Sequence, residues 1–442
     1  MGQYFGTDGV RGKANVTLTV DMAFQIGQAL GAIYPSSKIV VGMDTRISSS
    51  MLKYALCSGL AASSAHAYDV GVVPTPTIAY LCSKEDFVAG VMISASHNPY
   101  YDNGIKIFNH QGMKIDDSIE ATIEKVINKE THLIYANDTE IGLIRSYPEG
   151  LDHYLHFIKS LYPIDLKGMK VVIDAANGSA CVSAQQVFES MNAKVLILHN
   201  EPNGININTH CGSTHPEDLQ KFVLEHKADI GLAFDGDADR LIAVDEQGQL
   251  FDGDKTIYVC GVNMKKHGTL KQDTVVTTVM ANLGLYKALE RAGIKTEQTQ
   301  VGDKYVYDRM LQNDLMLGGE QSGHIIFKQH LSTGDGLLSA LSLLSIMVEE
   351  NKSLSDLASD LIIYPQKLVN VKVKDKKEAL KNQNLIKIIS DLEKELGTDG
   401  RILVRPSGTE ALVRVMAEAS TQDKCDALVS QIVKLIESEN LT

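Results

Sequence analysis

One arrangement recurs along this chain and limits what it can fold into: an apolar, β-rich run that stops abruptly at a polar cluster, with a helical pattern further on. Lys38 to Met43 ends at Asp44, Phe87 to Ile93 at Ser94, and Met169 to Ile173 runs into D-A-A-N-G-S. Ala228 to Phe234 ends at Asp235, and Asp273 to Val279 precedes a helical pattern from about Gly284 to Ala292. Strands that are apolar throughout, rather than in alternation, must be covered on both faces. Alternation with helices then predicts parallel, doubly covered sheets. Ligands of such sheets gather beyond the carboxyl ends of the strands, where this chain places its polar clusters.

The unit returns at roughly domain spacing, which predicts duplicated α/β domains. A chain of 442 residues has room for about three domains, give or take one. Boundaries are expected near Gly150, Asp252 and Tyr364, giving segments 1–150, 151–252, 253–364 and 365–442. The last differs in kind. Lys367 to Val373 alternates like an antiparallel strand, Ile402 to Val404 and Leu412 to Met416 flank a turn, and a helix follows from about Thr421 to Glu437. That pattern predicts a small α+β domain.

Composition excludes several classes. Hydrophobic residues make up 44% and charged residues 22%, a balance that supports a sizeable core. The net charge of -13 argues against a broad nucleic-acid surface, yet a local arginine cluster can still hold a phosphate. The longest strongly apolar stretch, Leu337 to Val348, is too short to span a bilayer. The amino terminus lacks the basic and apolar blocks of a signal peptide. Six scattered cysteines without a C-x-x-C pair fit free thiols in a reducing compartment. The expectation is a cytoplasmic protein with no membrane or nucleic-acid partner.

Four clusters carry chemistry. In D-G-D-A-D-R, Asp235 to Arg240, alternate carboxylates at Asp235, Asp237 and Asp239 converge on one side of an extended loop and offer hard oxygen donors to Mg²⁺. An acidic surface turn would carry the same run. An EF-hand requires glycine at its sixth loop position, where Arg240 stands. Arg240 beside the carboxylates points to a phosphate partner. In S-A-S-H-N-P, Ser94 to Pro99, a serine at a strand end beside His97 is a candidate nucleophile; a small polar turn before proline is the alternative. It is not the G-x-S-x-G elbow of acyl hydrolases. Lys106 follows ten residues after Ser96, placed to act as acid, base or phosphate ligand.

In G-G-E-Q-S-G-H, Gly318 to His324, Glu320 and Ser322 can bond sugar hydroxyls and His324 can move a proton. In R-P-S-G-T-E, Arg405 to Glu410, the turn's N–H groups and hydroxyls form an anion nest, with Arg405 and Arg414 adding charge. Each cluster taken alone also fits an ordinary turn. Arg11, in F-G-T-D-G-V-R-G, and Arg46, in M-D-T-R, are either site cations or surface ion-pair members.

Together, F-G-T-D-G-V-R-G, I-S-A-S-H-N-P-Y-Y-D-N-G-I-K, D-G-D-A-D-R, G-G-E-Q-S-G-H and R-P-S-G-T-E-A-L-V-R-V resemble, in order and spacing, the α-D-phosphohexomutase superfamily. The resemblance spans essentially the whole chain. It implies a four-domain α/β architecture: three related mixed-sheet domains and a smaller α+β C-terminal domain around a central cleft. It places a phosphoserine at Ser96, rather than Ser94, and one Mg²⁺ per subunit on Asp235, Asp237, Asp239 and the Ser96 phosphate. Lys106, Arg240 and His324 fall at active-site positions, with Lys106 and His324 the acid/base candidates. Arg11 joins the substrate-binding set, and Glu320 and Ser322 go to the sugar. Arg405, Ser407, Gly408, Thr409 and Arg414 go to the distal phosphate.

The implied reaction moves a phosphoryl group between the 6- and 1-positions of a hexose through a 1,6-bisphosphate, which also serves as activator. Gln321 points to a phosphorylated amino sugar, with glucose or mannose phosphates as alternatives. A sugar-phosphate sensor and a metal-dependent phosphatase are the rivals from other classes; a homodimer is the candidate assembly. Two positions depart from the family pattern. Ala238 stands where many members carry glycine, a change tolerated if its φ is negative, and Lys304 stands where arginine is expected.

Overall fold

The computed structural model describes residues 2–6, 8–406 and 412–439. The chain divides into two compact units, Met1–Met280 with Ala292–Ser359, and Ala281–Arg291 with Asp360–Thr442.

The first unit is built on three sheets of one design. In the first, Lys38–Met43, His66–Val72, Ile144–Ser146 and Ala89–Ile93 run parallel. Asp102–Asn109 then pairs antiparallel with Ala89–Ile93, and Gly9–Lys13 extends that edge. The second sheet runs Lys194–Leu198, Lys170–Asp174 and Ile230–Phe234 in parallel and returns through antiparallel Leu241–Asp245. In the third, Lys295–Thr299, Thr274–Thr278 and Leu317–Gly319 are parallel, and Ile325–Phe327 returns antiparallel.

Both faces of the first sheet are covered, as continuous apolar strands require. Ile39 and Val41 enter one core with Leu30, Leu56 and Ile123, while Val40 enters another with Ile78, Leu81 and Phe108. The parallel reading needs one correction. Each sheet is mixed, because its last parallel strand turns straight back as a hairpin. The return strand Asp102–Asn109 was masked in sequence by its Asp, Asn, Gly and Lys, although all but its ends are buried. The three polar loops at 94–101, 235–240 and 320–324 are therefore equivalent: each is the hairpin tip after the last parallel strand.

The apolar stretch from Leu337 lies in the helix Gly336–Glu350, which is largely buried. Among the described residues no helix is long and apolar enough to cross a membrane.

The second unit is a three-stranded antiparallel sheet, Gln366–Lys372, Leu412–Ala419 and Gly400–Pro406, whose core includes Val413, Val415, Leu385 and Ile432. The helix Leu283–Arg291 is part of this unit. The buried Glu418 carboxylate accepts from Leu283 N at 3.0 Å and from Arg401 Nε at 2.5 Å, and Arg401 also donates to Ala281 O.

Candidate active site

Ser96 sits at the tip of the first hairpin with φ +52°, a left-handed conformation that costs a non-glycine residue about 1–2 kcal/mol. Buried contacts hold it there. Its N–H donates to Ser94 Oγ (2.9 Å), and Ser94 Oγ donates to Asp44 Oδ2 (2.8 Å). Its carbonyl accepts from Arg46 Nη2 (2.7 Å) and Asn208 Nδ2 (2.8 Å). Arg46 is neither a free cation nor a surface group. Fully buried against Asp44, it also donates to the carbonyls of Pro99 (2.5 Å) and Asp102 (3.1 Å) and so clamps both sides of the serine loop. Only a guanidinium fork can serve three carbonyls and a carboxylate at once.

Ser96 is 1% exposed, and its Oγ donates to Asp235 Oδ2 at 2.6 Å. His97 Nδ1 is 3.3 Å from the same oxygen. Burial, reinforced by Arg240 and Arg11, pulls the His97 pKa down to about 4, so it is neutral at pH 7.

The second tip carries Asp235, Asp237 and Asp239, all buried, each offering an oxygen within 4.8 Å of the others. Gly236 is required between the first two, because a Cβ there would lie 2.5 Å from Ser96 O. Ala238 has φ +55°, so the condition for tolerating its methyl group is not met, and the loop carries that strain. Burial and the repulsion of Asp239 and Asp237 push the Asp235 carboxyl well above the ordinary range. Burial works against ionising Asp239 too, but Lys106, His324 and Arg240 hold it well below that range. Asp237 Oδ1 and Asp239 Oδ1 are buried without a hydrogen-bond donor among the described residues. Hard oxygen donors with unsatisfied lone pairs fit a divalent cation.

Lys106, on the return strand and 2% exposed, reaches Asp237 Oδ2 (2.8 Å), Asp239 Oδ2 (3.0 Å) and Asp8 Oδ2 (3.2 Å). Burial opposes its charge, yet these carboxylates raise its pKa well above the ordinary value. His324, at the third tip, accepts from Gly334 N at Nε2 (3.0 Å) and sets Nδ1 3.6 Å from Asp239 Oδ1. That bond places the proton of the neutral ring on Nδ1, facing the carboxylate. Burial lowers its pKa, but Asp239 and Asp303 outweigh burial and raise it.

Of these groups Asp239 and His324 line a cavity of about 410 Å³, together with Asp8, Arg11, Arg240 and Glu320 among others; Ser96, Asp235, Asp237 and Lys106 do not line it. Arg11 pairs with Asp8, but its Nε and that of Arg240, which lies 3.8 Å from Asp239 Oδ1, are buried without hydrogen-bond partners among the described residues. Two such guanidinium N–H groups suit an anion. Glu320 Oε1 accepts from Gly302 N (3.1 Å). Ser322 is exposed and does not line this cavity. The Gln321 amide donates to Asp252 Oδ2 (3.3 Å), fastening the loop to the start of the helix Gly253–Lys266. Lys304 reaches Asp117 (2.7 Å).

In the second unit, Arg405 and Arg414 stand directly opposite each other on paired strands, and the Nε of each is buried without a hydrogen-bond partner among the described residues. Burial and Arg414 lower the Arg405 pKa. Ser407, Gly408 and Thr409 lie outside the described residues.

Sequence reasoning missed several contributors. Thr75 donates to Asp237 Oδ2 (2.5 Å) and carried no signal. Lys114 bridges Asp8 (2.9 Å) and Asp303 (2.7 Å) with no signal either. Asp8 lies inside F-G-T-D-G-V-R-G and Asp303 directly precedes Lys304, so both stand beside basic residues already singled out.

Four segments match models of the phosphoglucomutase/phosphomannomutase family: alpha/beta/alpha domain I over residues 2–133, domain II over 152–248, domain III over 252–363 and the C-terminal domain over 368–435. The chain belongs to this family, with its three α/β domains and smaller C-terminal domain. Among curated relatives it is 50% identical over 445 residues to the phosphoglucosamine mutase of Pediococcus pentosaceus, covering 99% of this chain and 98% of that one. To the phosphoglucosamine mutase of Bacillus subtilis it is 50% identical over 444 residues, covering 99% of each. The solved structure of a phosphoglucomutase/phosphomannomutase family protein from Burkholderia thailandensis shares the fold, with a TM-score of 0.81 at 24% identity over 99% of this chain and 98% of that one.

Proposed function

We propose that this chain is a phosphoglucosamine mutase. It interconverts glucosamine 6-phosphate and glucosamine 1-phosphate, the latter feeding UDP-N-acetylglucosamine synthesis. The observation that carries the mechanism is Ser96 Oγ, buried on a clamped tip, 2.6 Å from Asp235 of a carboxylate triad with unsatisfied oxygens. The choice of sugar rests on whole-chain identity of about half to relatives bearing that name.

The cycle begins with a phosphate on Ser96. The substrate hydroxyl attacks its phosphorus, the new O–P bond forms as the Ser96 Oγ–P bond breaks, and the sugar becomes a 1,6-bisphosphate. The bisphosphate turns over, Ser96 Oγ attacks the other phosphate, and the isomer leaves with one phosphate. Mg²⁺, held by Asp235, Asp237, Asp239 and the Ser96 phosphate, would neutralise charge on the transferring group. Lys106 and His324 move the protons: Lys106 is held protonated beside the triad, and His324 aims Nδ1 at Asp239. Arg11 and Arg240 offer Nε–H groups, not hydrogen-bonded among the described residues, to phosphate oxygens. Glu320, which lines the cavity, takes sugar hydroxyls, with Ser322 assigned beside it on the resemblance alone because it does not line the cavity; Arg405, Ser407, Gly408, Thr409 and Arg414 take the distal phosphate in either sugar orientation. The Gln321 amide is engaged with Asp252, so any influence on sugar choice acts through loop shape. Free thiols and the acidic charge fit a cytoplasmic enzyme, which we take to act as a homodimer without membrane or nucleic-acid partners.

Intact mass and peptide mapping test this reading. A phosphate on Ser96 should leave the protein with excess glucosamine 6-phosphate and return with the bisphosphate. Full mutase activity in Ser96→Ala would end the scheme. Faster turnover of glucose or mannose 6-phosphate would move the enzyme to another branch of the family.

A further inference from the structure

Behind this site, at the carboxyl ends of Lys170–Asp174 and Lys194–Leu198, three side chains of different chemistry meet. Asp174 closes the first strand, His199 follows the second, and Cys211 lies in the connection leading to Gly212–Thr214. A carboxylate oxygen, a ring nitrogen and Sγ lie within 4.8 Å of one another. Asp174 and Cys211 are fully buried. His199 Nδ1 is buried 3.1 Å from Asp174 Oδ2, close enough for the carboxylate to raise the ring's pKa, but it is not aligned as a hydrogen bond among the described residues.

We propose that Asp174, His199 and Cys211 form a second metal site, selective for a thiophilic divalent cation of the Zn²⁺ type and separate from the oxygen-only triad. Mixed S, N and O donors suit zinc, with solvent completing four-coordination. The surroundings match what such ligands need. With Nδ1 on the metal, the His199 Nε2–H faces Asp218 Oδ2 at 3.8 Å, a carboxylate placed to fix the ring and raise its basicity. Asn177 Nδ2 donates to Cys211 Sγ at 3.9 Å, but burial and Asp174 outweigh that bond and push the thiol up to about 12, so the cation itself must displace the proton. Each Asp174 oxygen accepts one backbone N–H, from Ala176 (2.9 Å) or Gly212 (2.8 Å), and keeps a lone pair. Binding forms a metal–sulfur bond and releases the Cys211 proton to solvent, with no change of oxidation state.

The site would be structural for the mutase. Between His199 and Cys211 in sequence lies Asn208, whose amide donates to the carbonyls of Ser96 (2.8 Å) and Asn98 (3.1 Å). A cation that fixes this segment at both ends fixes the support under the phosphate-carrying serine.

The test uses the full-length protein, stripped with a chelator and saturated with Mg²⁺ to fill the triad, then titrated with Zn²⁺ or Co²⁺. The expected result is one Zn²⁺ per chain and, with Co²⁺, a thiolate charge-transfer band. Cys211→Ser should abolish the band, His199→Asn should weaken Zn²⁺ binding roughly tenfold or more, and Asp237→Asn should leave the band intact. Failure of the wild-type protein to bind Zn²⁺ under excess Mg²⁺, or absence of its band, overturns the proposal whatever the variants do. A band that survives in Cys211→Ser overturns it as well.

Discussion

Ser96 Oγ donates to Asp235 Oδ2 at 2.6 Å across 139 positions of sequence, joining the tips of two different sheets. The bond depends on the serine being unmodified. Once phosphorylated, Oγ has no proton to donate, and a group of about two negative charges faces three buried carboxylates. The two states of the enzyme should therefore depend on a cation to different degrees.

Chelation is the first check. The Asp235 carboxyl titrates well above its unfolded value, so it binds its proton more tightly when folded. Its contribution favours folding at low pH and is lost as pH rises from the unfolded value through the raised one. Divalent cation should accordingly raise the Tm more at pH 8 than at pH 5, by about 2.7 kcal/mol of stability at a hundredfold excess over Kd. The increment should be larger for protein phosphorylated at Ser96. Thermal melts with EDTA or Mg²⁺ check both, and equal increments at both pH values would count against the assignment.

The Arg46 clamp supplies a second prediction. Arg46→Lys keeps a charge but cannot serve Asp44 and three carbonyls together, so the serine loop should lose its strained shape. Breaking a buried pair costs about 3–5 kcal/mol when one partner is removed, and Arg46→Met should approach that in urea unfolding. Arg46→Lys should cost less stability yet lower kcat tenfold or more, on the order of 1.4 kcal/mol in the barrier.

A pH-dependent stability term should trace to Asp335. Burial pushes its carboxyl up to about 6, although the Leu338 N–H and the Tyr154 hydroxyl favour the ion. The raised value means that its stabilising contribution holds at pH 4 and falls away towards pH 6. Asp335→Asn can still cap the helix and accept from Tyr154. Relative to that variant, the wild-type protein should lose about 2 kcal/mol between those pH values. Urea midpoints measured at pH 4.5 and 6.5 decide it; parallel changes in the two proteins would show that Asp335 does not titrate there.

Arg405 and Arg414 predict a conflict between stability and binding. Like charges directly opposite on paired strands are unfavourable. Arg405→Ala should therefore leave the free protein unchanged or steadier by a few tenths of a kcal/mol, while raising KM for the sugar phosphate at least tenfold, about 1.4 kcal/mol. A variant that loses stability and keeps its KM would place these residues outside the binding set.

Much of this was legible in sequence, for physical reasons. Continuous apolar runs marked the buried parallel strands: Lys38–Met43 was located to the residue, and Lys170–Asp174 and Ile230–Phe234 within two residues at their ends. The clustered acids of 235–240 were visible because adjacent carboxylates without a partner are costly. What stayed hidden were relationships between distant segments. Nothing local marks Thr75 as the donor to Asp237, or Lys114 as the bridge between Asp8 and Asp303. The left-handed Ala238 was equally hidden, since alanine gives no sign of positive φ. Arg46 fits either a site cation or a surface ion-pair member in sequence, whereas its burial makes it a bracket for carbonyls. The helix Leu283–Arg291 lies within the segment expected as the third domain, yet it is anchored by Glu418 in the C-terminal segment.

The hairpin tips have a mechanical consequence. A tip held by two laddered strands is stiff, unlike the long crossover that joins two parallel strands. The serine, the carboxylates and His324 are thus mounted on three short prongs, each braced by its own sheet. Such prongs would have little freedom to follow the substrate reorientation that the proposed cycle requires. The accommodation has to come from the substrate's own rotation and from displacements of whole sheets, so the slow coordinate of catalysis should be sought in rigid-body movement rather than in loop disorder.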